Sequence, residues 1–205
     1  MRDDPDVYTG TTVLKNKFGI RDQATLDLVE REFVVLRSKH GMPAPGTFDL
    51  PHLQAIHRHL FQDVYEWAGE IRRVEISKDG NLFQFRRYIG TGMADVHRRL
   101  VAARFLKRLS ASAFATGAAE IIGDLNYVHP FREGNGRTQL LYLKQLAAEA
   151  GHDLDLSKLD ARPWLDASNA AFHRRYAPMA RCIEQALGQR PRQTQGRKAR
   201  NDPEG

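Results

Sequence analysis

The chain has 205 residues, 41% of them hydrophobic and 27% charged, which is the balance of an ordinary globular protein with one hydrophobic core. No apolar run approaches the length of a membrane span and the first residues are acidic and polar, so we expect neither a membrane anchor nor a cleaved signal peptide. Cys182 is the only cysteine, which excludes an intrachain disulfide and favours the cytoplasm. Delivery into another cell by a different kind of signal stays open.

The net charge of +6 is unevenly distributed along the chain. Residues 188–205 contain five Arg or Lys and two acidic residues, a net charge of +3, which leaves +3 for residues 1–187. This mildly basic body gives little support for a nucleic-acid-binding groove, and we expect no direct contact with nucleic acid. The composition predicts one domain over 1–187, followed over 188–205 by a basic, disordered tail or linker rich in Gln, Gly, Pro and Arg.

A helical period dominates the domain and predicts an all-α bundle. Asp22 is placed to cap a first helix that runs towards His40, and Asp49 is placed to begin a second. The apolar faces predicted for these helices are Leu26, Val29, Phe33 and Leu36 in the first, and Leu53, Ile56, Leu60 and Phe61 in the second. Later helices are predicted from Thr91, from Ser110 to near Tyr127, from about Asn135 to Ala150, from Asp160 through Trp164, and over 177–187.

Residues 71–86 follow a different pattern. Apolar and polar residues alternate over 71–76 and 82–85, and the residues between them are typical of a tight turn: Lys78, Asp79, Gly80 and Asn81. This pattern predicts a short β-hairpin, the one convincing β element of the sequence. A lone hairpin is marginally stable in water, so we expect it to pack on the helical body.

Residues 129–137 read His-Pro-Phe-Arg-Glu-Gly-Asn-Gly-Arg and join two of the predicted helices. Gly134, Asn135 and Gly136 let backbone N–H groups converge where the next helix offers its own unpaired N–H groups, which predicts a phosphate-binding site. Arg137, in the first turn of that helix, can bind phosphate oxygens bidentately.

Two ionisable side chains flank this phosphate site. The Glu133 carboxylate would repel phosphate unless a cation intervened, so we expect Glu133 and phosphate oxygens to bind Mg²⁺. His129 is the residue type best suited to a general base near neutral pH, and Phe131 is predicted to anchor the loop in the core. The alternatives are a glycine-rich connection with an incidental histidine, and a zinc site, for which His129 and Glu133 lack a third ligand nearby in sequence.

These nine residues resemble the signature of the Fic family, His-x-Phe-x-(Asp/Glu)-Gly-Asn-Gly-(Arg/Lys)-x-x-Arg. The stretch with Tyr8-Thr9-Gly10 and Val13-Leu14-Lys15-Asn16 is similar to the N-terminal segment of toxin-type bacterial Fic proteins. Residues 61–69 are similar to the segment that precedes the family's flap, and the predicted hairpin occupies the flap position. The similarity extends over about residues 1–187, and it implies the helical Fic fold with a hairpin flap.

The resemblance implies protein adenylylation, also called AMPylation. His129 would deprotonate a Tyr, Thr or Ser hydroxyl of a target protein, and the oxygen would attack the α-phosphate of ATP, with pyrophosphate leaving. Glu133 would hold Mg²⁺ between the α- and β-phosphates. The residues that would bind the phosphates are Gly134, Asn135, Gly136 and Arg137.

The hairpin would hold a segment of the target protein by adding it as an extra strand. The residues expected to dock this segment are Ile76, Ser77, Lys78, Asp79, Gly80, Leu82, Phe83 and Phe85. A purely structural role, in which the aromatic side chains only pin the hairpin to the body, stays open.

The chain departs from the family signature at Leu140, which stands where the second arginine is expected. In the family that arginine meets the γ-phosphate and pairs with a glutamate of an inhibitory helix, and leucine can do neither. The choice of ATP over another nucleotide donor therefore stays open. Thr116 and Glu120 have the spacing of the inhibitory motif but the wrong following residue, so we expect a separate small helical antitoxin.

Several functions remain in view. The protein is expected to be a toxin acting on a target such as DNA gyrase or topoisomerase IV, an effector acting on small GTPases, or a Fic transferase with another nucleotide donor. A non-enzymatic binding module would be indicated by loss of His129 or Glu133, and the sequence retains both.

Overall fold

The computed structural model describes residues 4–41, 43, 46–78 and 80–188. Within them the chain forms the helices α1 (Gln23–Lys39), α2 (Leu50–Phe61), α3 (Ile89–Ala102), α4 (Ala111–Val128), α5 (Asn135–Ala150), α6 (Ala161–Phe172) and α7 (Ala177–Ala186). A two-stranded antiparallel sheet contains β1 (Ser77–Lys78) and β2 (Asn81–Leu82). The predicted fold class, an all-α bundle with a short hairpin, is confirmed.

Side-chain caps begin several of these helices. The carboxylates of Asp22 and Asp49 accept hydrogen bonds from main-chain N–H groups three residues further on, at 2.8 and 3.0 Å, and Ser110 begins α4 in the same way. At its other end α5 stops at Gly151, whose φ of 84° suits glycine. All four apolar residues predicted for α2 are buried.

Two details of the helix predictions are wrong. The third helix begins at Ile89 rather than Thr91, because a turn of 3-10 helix leads straight into it. The buried face of α1 is also shifted: Leu36 is 48% exposed, and the buried residues are Leu26, Glu30 and Val34. Glu30 can occupy this face because it is paired with a buried tyrosine that follows α2 and with a half-buried arginine of α5, described below.

Helix α4 is the centre of the bundle. It packs against α3, α5, α6 and α7, while α2 packs against α5 and α1. Its buried face is rich in small and aliphatic residues, which lets its neighbours approach closely: Ala115, Ala118, Ala119, Ile121, Ile122, Gly123 and Leu125. This core holds the end of α4 and the start of α5, and therefore the loop that joins them.

The hairpin is shorter than predicted. Its strands are two residues each, pairing Ser77 with Leu82 and Lys78 with Asn81, whereas strands were predicted over 71–76 and 82–85. The flanking backbone bonds to the helical body instead, because Arg72 N donates to Pro130 O (2.9 Å) and Gln84 N donates to Tyr127 O (3.1 Å). Residues 71–86 are called the flap from here on.

Some of the predicted features lie outside the described residues. These are Asp79 of the flap and the tail from residue 189 onward. In the part of the chain that the structure covers, no helix is long and apolar enough to span a membrane.

Candidate active site

The loop between α4 and α5 is shaped by two residues with left-handed backbone. His129 follows the last residue of α4 with φ 48°, and Gly134 precedes α5 with φ 79°. Between them Phe131 is fully buried, and its ring stacks on His57 with 4.0 Å between ring centroids. The loop is therefore anchored in the core through Phe131.

The side chain of Asn135 closes the loop. Its Oδ1 accepts a hydrogen bond from Phe131 N (3.0 Å) and its Nδ2 donates one to Phe131 O (2.8 Å). Asn135 is 3% exposed, so its carboxamide is committed to the loop. What it can offer an anion is its main-chain N–H at the start of α5.

The two glycines of the loop have different reasons to be glycine. A Cβ at Gly134 would lie 2.4 Å from the Phe61 ring, and its φ is unfavourable for other residues. A Cβ at Gly136 would meet no heavy atom within 4 Å. Because Gly136 lines the cavity of the site, its missing side chain leaves the start of α5 open to a ligand.

Arg137 is held in place by two carboxylates and a ring. Its Nη1 lies 2.6 Å from Glu30 Oε1, its Nη2 lies 3.5 Å from Glu133 Oε1, and its guanidinium lies 4.7 Å from the centroid of Phe61. Glu30 also accepts a hydrogen bond from Tyr65 Oη at 2.5 Å. The guanidinium is thus oriented before any phosphate arrives, and it remains partly exposed.

Glu133 is the exposed acidic group of the site. Its side chain is 50% exposed and its Oε1 accepts a hydrogen bond from Gly134 N at 2.8 Å. The described residues contain no group of three or more His, Cys, Asp or Glu that could hold a metal by themselves. A metal at Glu133 would therefore need oxygen ligands from a substrate and from water, which is how Mg²⁺ commonly binds.

A hydrogen bond and burial determine the protonation state of His129. Its Nδ1 donates to Asn126 O (3.0 Å), which leaves the lone pair on Nε2. Burial, and to a lesser extent the positive charges of Arg72 and Lys78, lower the pKa of His129 to about 4. The imidazole is therefore uncharged at neutral pH and can accept a proton at Nε2.

These groups line one cavity of about 560 Å³. His129, Glu133 and the start of α5 line it, together with Lys78 of the flap. Much of the remaining lining is apolar, and its side chains come from α5, α6 and the segment between them: Leu140, Leu156, Leu159, Trp164, Leu165 and Phe172. Leu140, the position that departs from the signature, thus lies in the cavity wall. Ser168 and Asn169 supply polar groups in the same wall.

The flap residues divide into buried and exposed groups. Phe83 is 7% exposed and stacks on the His129 ring at 3.7 Å, so this aromatic side chain does pin the flap to the body. Leu82 and Phe85 are 46% and 47% exposed and remain available to a partner. Of the other predicted docking residues, Ile76 is half-buried, and those fully on the surface are Ser77, Lys78 and Gly80.

Sequence reasoning missed three buried polar residues that support the site. Glu30 holds Arg137, as described above, and Arg72 bonds to the flap and to the loop. His57 Nε2 donates to Glu133 O (3.0 Å), while its Nδ1 accepts from a main-chain N–H of residue 69. Each sits where periodicity alone predicts an ordinary surface or core residue, and their partners lie far away in sequence.

A helical bundle whose central loop joins a neutral histidine, a carboxylate and an open helix start defines a domain suited to handling phosphate groups. A model of the Fic/DOC family matches residues 47–147. The "Probable protein adenylyltransferase y4lH" of Sinorhizobium fredii is 42% identical over 186 residues, which are 90% of this chain and 96% of that protein. The chain belongs to the Fic/DOC family.

Two further relatives extend this comparison. The "Protein adenylyltransferase VbhT" of Bartonella schoenbuchensis is 40% identical over 172 residues, which are 83% of this chain and 36% of that longer protein. The crystal structure of BepC, a VirB-translocated effector of Bartonella tribocorum with bound AMPPNP, has a TM-score of 0.80 and 29% identity, and the match covers 91% of this chain and 97% of that one. The bundle with its flap is therefore the Fic fold.

Proposed function

We propose that the protein is a protein adenylyltransferase, which transfers AMP from ATP to a Tyr, Thr or Ser hydroxyl of a target protein. The observation that carries the proposal is the position of His129, a neutral imidazole with a free Nε2 in the same cavity as the start of α5. The names of the relatives y4lH and VbhT, and the ATP analogue bound to BepC, support the same reaction.

In the proposed reaction the residues of the loop have separate roles. His129 Nε2 accepts the proton of the target hydroxyl as the oxygen attacks the α-phosphorus of ATP. The bond between the α-phosphorus and the bridging oxygen breaks, and pyrophosphate leaves with the electron pair. The N–H groups at the start of α5 and the Arg137 guanidinium stabilise the negative charge on the phosphates.

Glu133 is the residue that would hold Mg²⁺. Its half-exposed carboxylate in the cavity fits an ion whose other ligands are phosphate oxygens and water. Bound there, Mg²⁺ would neutralise phosphate charge. Arg137 Nη2 lies 3.5 Å from this carboxylate, so bound Mg²⁺ would compete with Arg137 for Glu133.

The apolar part of the cavity lining suits the nucleotide base. Trp164, Leu165 and Phe172 provide flat and aliphatic surface, and Ser168 and Asn169 can bond to the ribose or to the edge of the base. Leu82 and Phe85 of the flap would contact the target, and their exposure supports this role.

The proposal is tested by transfer of label from ATP. The protein is incubated with Mg²⁺, a cell lysate and ATP labelled at the α-phosphate, and proteins are separated on a gel. We expect labelled protein with wild type, none with His129→Ala, and undiminished labelling with His40→Ala, an exposed histidine of the cap of α1. Label at the γ-phosphate should give no labelling beyond that of the lysate without added protein. Equal labelling by His129→Ala would overturn the assigned base.

Leu140 favours a second candidate, a transferase with another nucleotide donor. Its aliphatic side chain in the cavity wall offers no charge to a terminal phosphate. Competition by GTP, CTP, UTP and nucleotide-linked metabolites decides between the donors: if ATP competes no better than the others, the donor is not ATP.

Two biological settings are proposed. The resemblance of the N-terminal segment to toxin-type Fic proteins favours a toxin restrained by a small antitoxin, which would act on a cytoplasmic target such as DNA gyrase or topoisomerase IV. An effector would act on a protein of another cell, such as a small GTPase, and BepC is described as VirB-translocated. Mass spectrometry of the labelled bands identifies the target and the modified residue and separates these settings.

A further inference from the structure

We propose that Arg72 is a positioning residue that fastens both limbs of the flap to the main chain of His129, so that the target segment and the base are held in register. The inference deepens the adenylyltransferase proposal and rests on it for the roles of the flap and of His129. The hydrogen bonds of Arg72 can be tested without any transfer reaction.

The flap needs such a support because its own sheet is minimal. The two strands have two residues each, and a hairpin of this length is not stable by itself in water. Its flanking segments, 72–75 and 84–86, do not pair with each other as strands. They are joined through a side chain instead.

That side chain is the guanidinium of Arg72, which is completely buried. Its Nη1 donates to Val74 O (2.8 Å) in the first limb of the flap, and its Nη2 donates to Gln84 O in the second. Its Nε donates to His129 O (2.8 Å). A single planar group therefore fixes three carbonyl groups from three segments, which the point charge of a lysine cannot reproduce.

Two additional contacts extend the network. The main-chain N–H of Arg72 donates to Pro130 O (2.9 Å), so residue 72 holds two successive carbonyls of the loop. Glu75 lies 3.2 Å from Arg72 Nη1 and also accepts from Arg86 N (2.9 Å). The buried positive charge of Arg72 is thus paired with Glu75, and Glu75 also bonds to the second limb of the flap.

The geometry at His129 explains why the loop needs this fastening. His129 is a non-glycine residue with φ 48°, a conformation that is unfavourable unless its surroundings hold it. Arg72 holds its carbonyl, Asn126 O accepts from its Nδ1, and the Phe83 ring of the flap covers its ring. The positive charges of Arg72 and of Lys78, another residue of the flap, both lower the pKa of His129.

The test compares Arg72→Gln and Arg72→Lys with Arg73→Gln. The control changes the neighbouring arginine, which is 65% exposed and pairs with Glu70. Amide hydrogen exchange reports on the flap, and the NMR titration of the His129 ring reports its pKa and the nitrogen that carries its proton. Neither measurement requires nucleotide or target, so failure of the transferase proposal would leave the result unaffected.

We expect exchange at the Gln84 and Phe83 amides to accelerate about tenfold or more in both Arg72 variants and not in the control. The pKa of His129 should rise in Arg72→Gln, which removes a nearby cation, and stay low in Arg72→Lys, which keeps the charge. Unchanged flap exchange in folded Arg72 variants would overturn the proposal.

A second variant covers the case in which Arg72→Gln does not fold. Glu75→Gln keeps the guanidinium but weakens the contact with Arg86 N. It should accelerate exchange in the second limb while the His129 titration stays close to wild type. Exchange in Glu75→Gln that equalled the control would likewise refute the network.

Discussion

Gly134 and Gly136 stand two residues apart, and the structure predicts opposite consequences when each is changed to alanine. The backbone at Gly134 is left-handed, and alanine adopts this conformation at a cost of about 1–2 kcal/mol. It would also lie 2.4 Å from the ring of Phe61, and such overpacking costs about 1–3 kcal/mol. We therefore expect Gly134→Ala to lower the free energy of unfolding by about 2–5 kcal/mol.

Gly136→Ala is the matched control for this perturbation. The φ of Gly136 is not positive and the added methyl group would meet no heavy atom within 4 Å, so the substitution should not destabilise the fold. Alanine in a helix is more favourable than glycine by about 0.5–1 kcal/mol. The methyl group would, however, occupy the cavity at the start of α5, where phosphate binds in the proposed function. The affinity for ATP should fall by about tenfold or more, which corresponds to about 1.4 kcal/mol.

Two measurements separate these effects. Thermal unfolding followed by circular dichroism should show Gly134→Ala melting about 4–20 °C below wild type, while Gly136→Ala melts at or slightly above it. Isothermal titration calorimetry with ATP and Mg²⁺ should show weakened binding to Gly136→Ala. If Gly134→Ala melted with the wild-type protein, neither the left-handed backbone nor the contact with Phe61 would explain this glycine. If Gly136→Ala bound ATP normally, the phosphates would not approach this helix start.

Three other outcomes are expected. Burial lowers the pKa values of His57 and His129 to about 4, so on acidification the unfolded chain binds these two protons before the folded chain does. The free energy of unfolding should therefore fall as the pH drops from about 6.5 to about 4. Urea titrations at several pH values measure this fall, and a flat profile would contradict it. Arg137→Ala should lower the free energy of unfolding by about 1–3 kcal/mol, because it leaves the buried Glu30 carboxylate without its cation. Adding Glu30→Gln should recover most of this stability but not ATP binding. A double variant no more stable than Arg137→Ala would refute the pairing. Leu140→Arg should raise the affinity for ATP over that for ADP by about tenfold in calorimetry, and equal changes for both would show that the terminal phosphate lies elsewhere.

The helical bundle and the location of the candidate site could be predicted from the sequence because both depend on local order. Periodicity along one helix specifies its apolar face, as at α2, and a cap such as Asp22 or Ser110 acts within a single turn. The loop concentrates its histidine, carboxylate and glycines within nine residues, so the sequence alone indicates a site there, while the roles of these residues stay predictions. The reason is the same in each case: the interacting groups are neighbours in the chain.

The tertiary structure decided what supports the loop and how far the hairpin extends. Polarity predicts exposure, and Glu30, His57 and Arg72 break that rule because each is buried with partners from other elements. Main-chain bonds act in the same direction: Arg72 N and Gln84 N donate to Pro130 O and Tyr127 O rather than to a facing strand, so the hairpin is shorter than predicted. Hydrogen bonds between distant segments carry no periodic signal along the chain, so only the packed structure could specify them.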